Sequence, residues 1–157
     1  MNRALSYTAL AALIVPGAAF AQTPAGTVLQ AQTESNLSMP ANARWVDVNR
    51  VSTVMPSNST ASFTFDVRAM AYVTAGNIAS TCRIGLTNET GNPSYTPIIL
   101  SPPVDVPAAT TVAIPLEATG LAFAGQPLTL SMELRSGTAP LTIQQWTSVT
   151  AEVIPSE

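Results

Sequence analysis

Ser62-Phe63-Thr64-Phe65-Asp66-Val67-Arg68-Ala69-Met70-Ala71-Tyr72-Val73 decides the fold. Phe63, Phe65, Val67, Ala69, Ala71 and Val73 alternate with Ser62, Thr64, Asp66, Arg68, Met70 and Tyr72. A period of two held over such a length is a strand with one buried face. Working outward, Pro127 to Arg135 repeats the pattern, with Leu128, Leu130, Met132 and Leu134 on the apolar parity, and Thr111 to Glu117 repeats it through Val112, Ile114 and Leu116. From Ile78 to Thr87 the inward parity holds Ile78, Ser80, Cys82, Ile84 and Leu86. Thr27–Gln32, Arg44–Met55, Tyr95–Ser101 and Leu141–Ile154 read as less regular strands.

Met39-Pro40, Pro56 to Ser59, Ala75-Gly76-Asn77, Asn88 to Pro93, Ser101-Pro102-Pro103, Ala118-Thr119-Gly120 and Ser136-Gly137-Thr138 separate these segments as turns or loops. About eight strands so punctuated, without an amphipathic helix, predict an all-β chain: a single antiparallel β-sandwich, jelly-roll-like in preference to immunoglobulin-like. Proline cannot donate to a ladder, so the segments holding Pro97 and Pro115 are expected at sheet edges or bulges.

The start of the chain reads differently. Met1-Asn2-Arg3 is positively charged, the apolar run is densest from Ala9 to Val15, Pro16-Gly17 breaks it, and Ala19-Phe20-Ala21 has the small residues of a cleavage site. Residues 1–21 are thus expected to be a secretory signal peptide and 22–157 the sandwich domain. The chain is expected to be exported to the periplasm, the cell surface or the medium. The apolar run is too short for a bilayer, and no later one is longer, so no membrane span is expected.

Composition narrows the chemistry. The 157 residues are 46% hydrophobic, with 6 basic side chains, all Arg, against 9 acidic ones, no His, no Lys and one Cys. Without His the chain lacks the usual general base near neutral pH and the commonest metal ligand. Without Lys it can form neither a Schiff base nor a P-loop. Six Arg under a net charge of −3 leave no footprint for nucleic acid. The acids are scattered with no Asp-x-Asp run, so no catalytic residue, no metal and no cofactor is expected, and the chain reads as non-enzymatic. Cys82, on the inward parity, is expected to be a buried and inert thiol.

Aromatic rings on the polar parity are the candidate binding residues. Trp45 shares its parity with Asp47 and Asn49, Trp146 with Gln144, and Tyr72 lies beside Arg68. A flat ring stacks on the apolar face of a pyranose while amides, carboxylates and guanidinium groups bond its hydroxyls, so Trp45, Asp47, Asn49, Arg68, Tyr72, Gln144 and Trp146 form a candidate glycan surface. The competing reading is a bulge that returns a tryptophan to the core, and Trp146, beside Gln144-Gln145, is the one expected there.

The Ala/Thr/Ser/Val-rich, weakly charged strands are loosely similar to those of bacterial fibre and pilus subunits and of sugar-binding jelly-roll modules, but the cysteine pair usual in chaperone-assembled pilins is absent. Two functions follow as expectations. The first is a structural or adhesive protein acting through self-association, as a homo-oligomer or with a surface protein partner, with Thr27–Gln32 able to add to a neighbour's sheet. The alternative is a carbohydrate-binding module working through its exposed aromatic residues.

Overall fold

The computed structural model describes residues 26–57, 62–89 and 96–155. The expected signal peptide and its cleavage site lie outside these residues. The strands are β1 (Thr27–Gln32), β2 (Leu37–Met39), β3 (Val46–Val54), β4 (Ser62–Ala75), β5 (Ser80–Asn88), β6 (Thr96–Leu100), β7 (Val104–Val106), β8 (Thr111–Phe123), β9 (Pro127–Ser136), β10 (Leu141–Ile143) and β11 (Ser148–Pro155). They form two antiparallel sheets.

In the first sheet, β8 pairs one side of β4; β11 and β10 share the other side, flanked by β1 and β2 respectively. In the second, the order is β3-β9-β5, followed by β6 and β7 on successive parts of β5. Taking β1 with β2, β10 with β11 and β6 with β7 as interrupted single strands leaves four strands facing four. Their order, first-eighth-third-sixth against second-seventh-fourth-fifth, is that of a jelly roll. The sandwich expected from the alternation is therefore present, with the preferred topology.

The two inner faces make the core. β4 contributes Phe63, Phe65, Val67, Ala69, Ala71 and Val73, and β9 contributes Leu128, Leu130, Met132 and Leu134, all buried. Cys82 is fully buried among them, and burial pushes its thiol up to about 12. A native thiol held there exposes neither sulfur nor thiolate, so Ellman's reagent should label it only after denaturation. Fast labelling of the folded protein would contradict the packing.

Several local expectations change in three dimensions. Ala118-Thr119-Gly120 is not a turn: β8 runs through it to Phe123 in unbroken register with β4. Gly120 is there for closeness, because a Cβ at that position would lie 2.3 Å from Cζ of Phe65. Leu141–Ile154 is two strands, split by a turn in which the Thr147 amide donates to the Gln144 carbonyl (3.1 Å). Ile78 is exposed in the bend before β5 instead of facing inward. Leu37–Met39 and Val104–Val106, too short to show a period, are strands. Pro97 lies on β6 beside a register shift and Pro115 on β8, and among the described residues each of these strands is paired on one side only. Thr27–Gln32 pairs with β11 of its own chain along its whole length.

Candidate functional site

The outer face of the second sheet is built around an irregularity in β3. Asp47 pairs with Glu133 and Asn49 with Met132, so the register shifts between Asp47 and Asn49 and Val48 is the extra residue. A bulge of this kind reverses the facing of everything beyond it. Asp47 stays outward, Asn49 turns inward, and Arg50, which strict alternation would bury, comes out on the same face as Asp47.

Arg50 becomes the hub of that face. Its Nη2 donates to Asp47 Oδ2 (2.8 Å) and Glu89 Oε1 (2.9 Å), and its Nε donates to Ser131 Oγ (3.3 Å). Ser131 Oγ in turn donates to Glu89 Oε1 (2.6 Å). The register places Asp47, Glu133, Gly85 and Leu100 in one row across β3, β9, β5 and β6. Trp45, just before β3, closes the row from above. A Cβ added at Gly85 would meet Leu100 Cδ2 at 2.8 Å and Trp45 Cζ3 at 3.4 Å, so the absent side chain is what lets the indole lie on the sheet. Trp45 is half-buried there and does not join the core.

The acids on this face are held against their preference. Desolvation raises the carboxyl of Asp47 above its ordinary value, opposed by Arg50 and reinforced by Glu89. Desolvation also raises Glu133, reinforced by Asp47 and Glu89 and opposed by Arg50. The folded chain thus binds these protons more tightly than the unfolded chain, and their contribution to stability grows as pH falls from neutrality through the raised values and is lost on the way back. Melting followed downward from neutrality into the ordinary carboxylate range should show this rise, and Glu133→Gln should flatten it. An identical pH profile for wild type and variant would show that Glu133 is not desolvated.

The other candidates are elsewhere. Asn49 is buried, its Nδ2 donating to Thr33 Oγ1 (3.1 Å) and to the Thr147 carbonyl (2.8 Å), where it ties β3 to the paired breaks between β1 and β2 and between β10 and β11. It is a structural group, removed from the binding face by the bulge. Arg68, Tyr72, Gln144 and Trp146 belong to the first sheet, on the opposite side of the sandwich from Trp45 and Asp47. Arg68 is exposed and 3.7 Å from Glu117, a contact of little energetic weight. Gln144 bonds β4 twice, through its amide to the Tyr72 carbonyl (2.8 Å) and through Nε2 to Thr74 Oγ1 (2.6 Å). Trp146 is 57% exposed, contrary to its expected core position. The residue that the turn buries is Thr147, whose Oγ1 accepts from the Tyr72 amide (3.0 Å).

Arg50, Ser131, Glu89 and Glu133 were not singled out in the sequence. Glu133 shows its outward parity there, whereas Arg50 stands on a parity that only the bulge reverses. Among the described residues no group of three or more His, Cys, Asp or Glu side chains could hold a metal ion, and no helix is long and apolar enough to cross a membrane.

No protein-family model matches the chain, and no curated protein is significantly similar to it. Solved structures do share its fold. That of infectious bursal disease virus, Gt strain, matches with a TM-score of 0.55 at 8% identity, over 90% of this chain and 38% of the other. The Gx strain gives 0.50 at 8% identity, over 85% and 33%. The CBM22-1 xylan-binding domain of Paenibacillus barcinonensis Xyn10C is a weaker match, with a TM-score of 0.40 at 13% identity over 87% of this chain and all (100%) of that one, below what establishes a shared fold. The chain therefore spans little over a third of the viral chains it resembles, and at these identities the likeness is one of fold alone.

Proposed function

We propose that the protein is an exported, non-enzymatic binding module that takes carbohydrate on the outer face of its second sheet. The observation that carries this reading is the juxtaposition of the Trp45 indole with a strip of hydrogen-bonding groups, Asp47, Glu133, Arg50 and Glu89, in which the fully buried Ser131 anchors Arg50 and Glu89 from beneath. A ring held by Gly85 and Leu100 supplies a stacking surface, and side chains fixed by one another supply oriented donors and acceptors, so little is left to order on binding. The raised carboxyls of Asp47 and Glu133 add support, since acids desolvated at a cost to folding mark surfaces kept for another reason. Composition alone favours self-association over glycan binding; the Arg50 hub reverses that order. A lone buried thiol and the lack of His and Lys support a role without catalysis.

The test is a glycan array with the exported protein, followed by calorimetry on the best oligosaccharide. Trp45→Ala should weaken binding at least about tenfold, and Trp146→Ala should leave it unchanged. Trp146→Ala should also leave stability within about 0.5 kcal/mol, as an exposed position does. Loss of binding in the Trp146 variant alone would move the site to the first sheet, and a wild type that binds no glycan would end the reading.

A further inference from the structure

β8 offers a second working surface along its backbone. The Thr110 carbonyl accepts from the Ala75 amide of β4 (3.2 Å), and the register then runs without a shift from Thr74 opposite Thr111 to Ser62 opposite Phe123. Backbone groups alternate in direction along a strand, so the even-numbered residues of β8 serve β4 and the odd-numbered ones, Thr111 to Phe123, point to the other side. Among the described residues β8 has no partner on that side. β3, the other long edge, is blunted by its bulge and by Asp47 and Arg50; β8 carries one charged residue, Glu117, and no bulge.

The geometry points to a second copy of this chain as the occupant, joined antiparallel about a two-fold axis through Thr119. Two positions on the edge select that register. Pro115 has no N–H and offers only its carbonyl. Phe123 has its N–H to donate, and its carbonyl already accepts once, from the Gln126 amide (3.1 Å). A two-fold at Thr119 sets Pro115 opposite Phe123 of the second copy, Glu117 opposite Leu121, and Thr119 opposite itself. The Pro115 carbonyl thus meets the Phe123 N–H, the missing Pro115 N–H falls opposite the carbonyl already taken up by Gln126, and the two Glu117 side chains stay apart. The same pairing covers the side chains of Leu121 and Phe123, which are 59% and 61% exposed in the single chain. The first sheets of the two copies become one continuous sheet. Because the axis is normal to that sheet, both second-sheet faces look the same way, although the association does not depend on what those faces bind.

Sedimentation of the exported protein at up to about 100 µM should give twice the chain mass. Thr119→Pro, which removes an N–H that β4 does not use, should sediment as a monomer and melt as the wild type does when diluted to its dissociated form. Thr119→Cys should oxidise to a disulfide-linked dimer, since directly opposed residues of a hydrogen-bonded pair lie about 5.5 Å apart at Cα, whereas Ala113→Cys, opposed by no β8 residue in this register, should not. A monomeric wild type, a dimer that survives Thr119→Pro, or equal cross-linking of the two cysteine variants would overturn the proposal. The cysteine pair decides the matter if the proline variant fails to fold.

Discussion

Asn49→Asp should destabilise the protein by about 3–5 kcal/mol, the cost of an uncompensated buried charge. The Asn49 side chain is buried, and its Nδ2 is a donor to two acceptors, Thr33 Oγ1 and the Thr147 carbonyl. A carboxylate of the same shape would turn a donor into an acceptor facing that carbonyl. Asn49→Ala, which removes the donor without adding charge, should cost less, about 1–3 kcal/mol. Urea titrations of the two variants measure the difference. The Asp variant should recover part of its loss as pH falls, because a protonated carboxyl can donate again. If Asn49→Asp instead folds normally and loses only ligand binding, Asn49 belongs to the binding face and the placement of the bulge is wrong.

The second large effect is expected at Gly120. Its missing Cβ leaves room for the ring of Phe65, which is almost completely buried; a methyl there would stand 2.3 Å from Cζ and 2.8 Å from Cε1. The ring cannot leave without displacing the core, so Gly120→Ala should cost about 1–3 kcal/mol through overpacking. The control is a double-mutant cycle with Phe65→Leu, which takes away the atoms that clash. In that background Gly120→Ala should be nearly neutral. Additive losses would mean that the glycine is needed for its backbone and not for the space above it.

These two residues also show where local reading stops. Asn49 shares the polar parity of Trp45 and Asp47 in a regular strand, and Gly120 follows Ala118-Thr119 as a turn glycine would. The bulge at Val48 and the approach of Phe65 to Gly120 are set by the strands opposite, β9 in one case and β4 in the other. Trp146 is a third case. The break in pattern at Gln144-Gln145 is visible in the sequence, but its outcome, a turn with Thr147 inward and Trp146 outward, depends on β4 supplying the Tyr72 amide to Thr147 Oγ1.

The all-β class, the sandwich, the inward parity of β4, β8 and β9, the burial of Cys82 and the placement of Pro97 and Pro115 at an edge or a bulge are legible in the sequence. All of these follow from side-chain alternation or from a missing N–H, which are properties of a residue and its immediate neighbours. Only the tertiary structure decided that Asn49 faces inward, that Arg50 joins Asp47, Ser131 and Glu89, and that the tryptophans stand on opposite faces of the molecule. One extra residue in a strand reverses every parity after it, and whether it is extra is settled by the register of the partner strand, which lies far away in the chain.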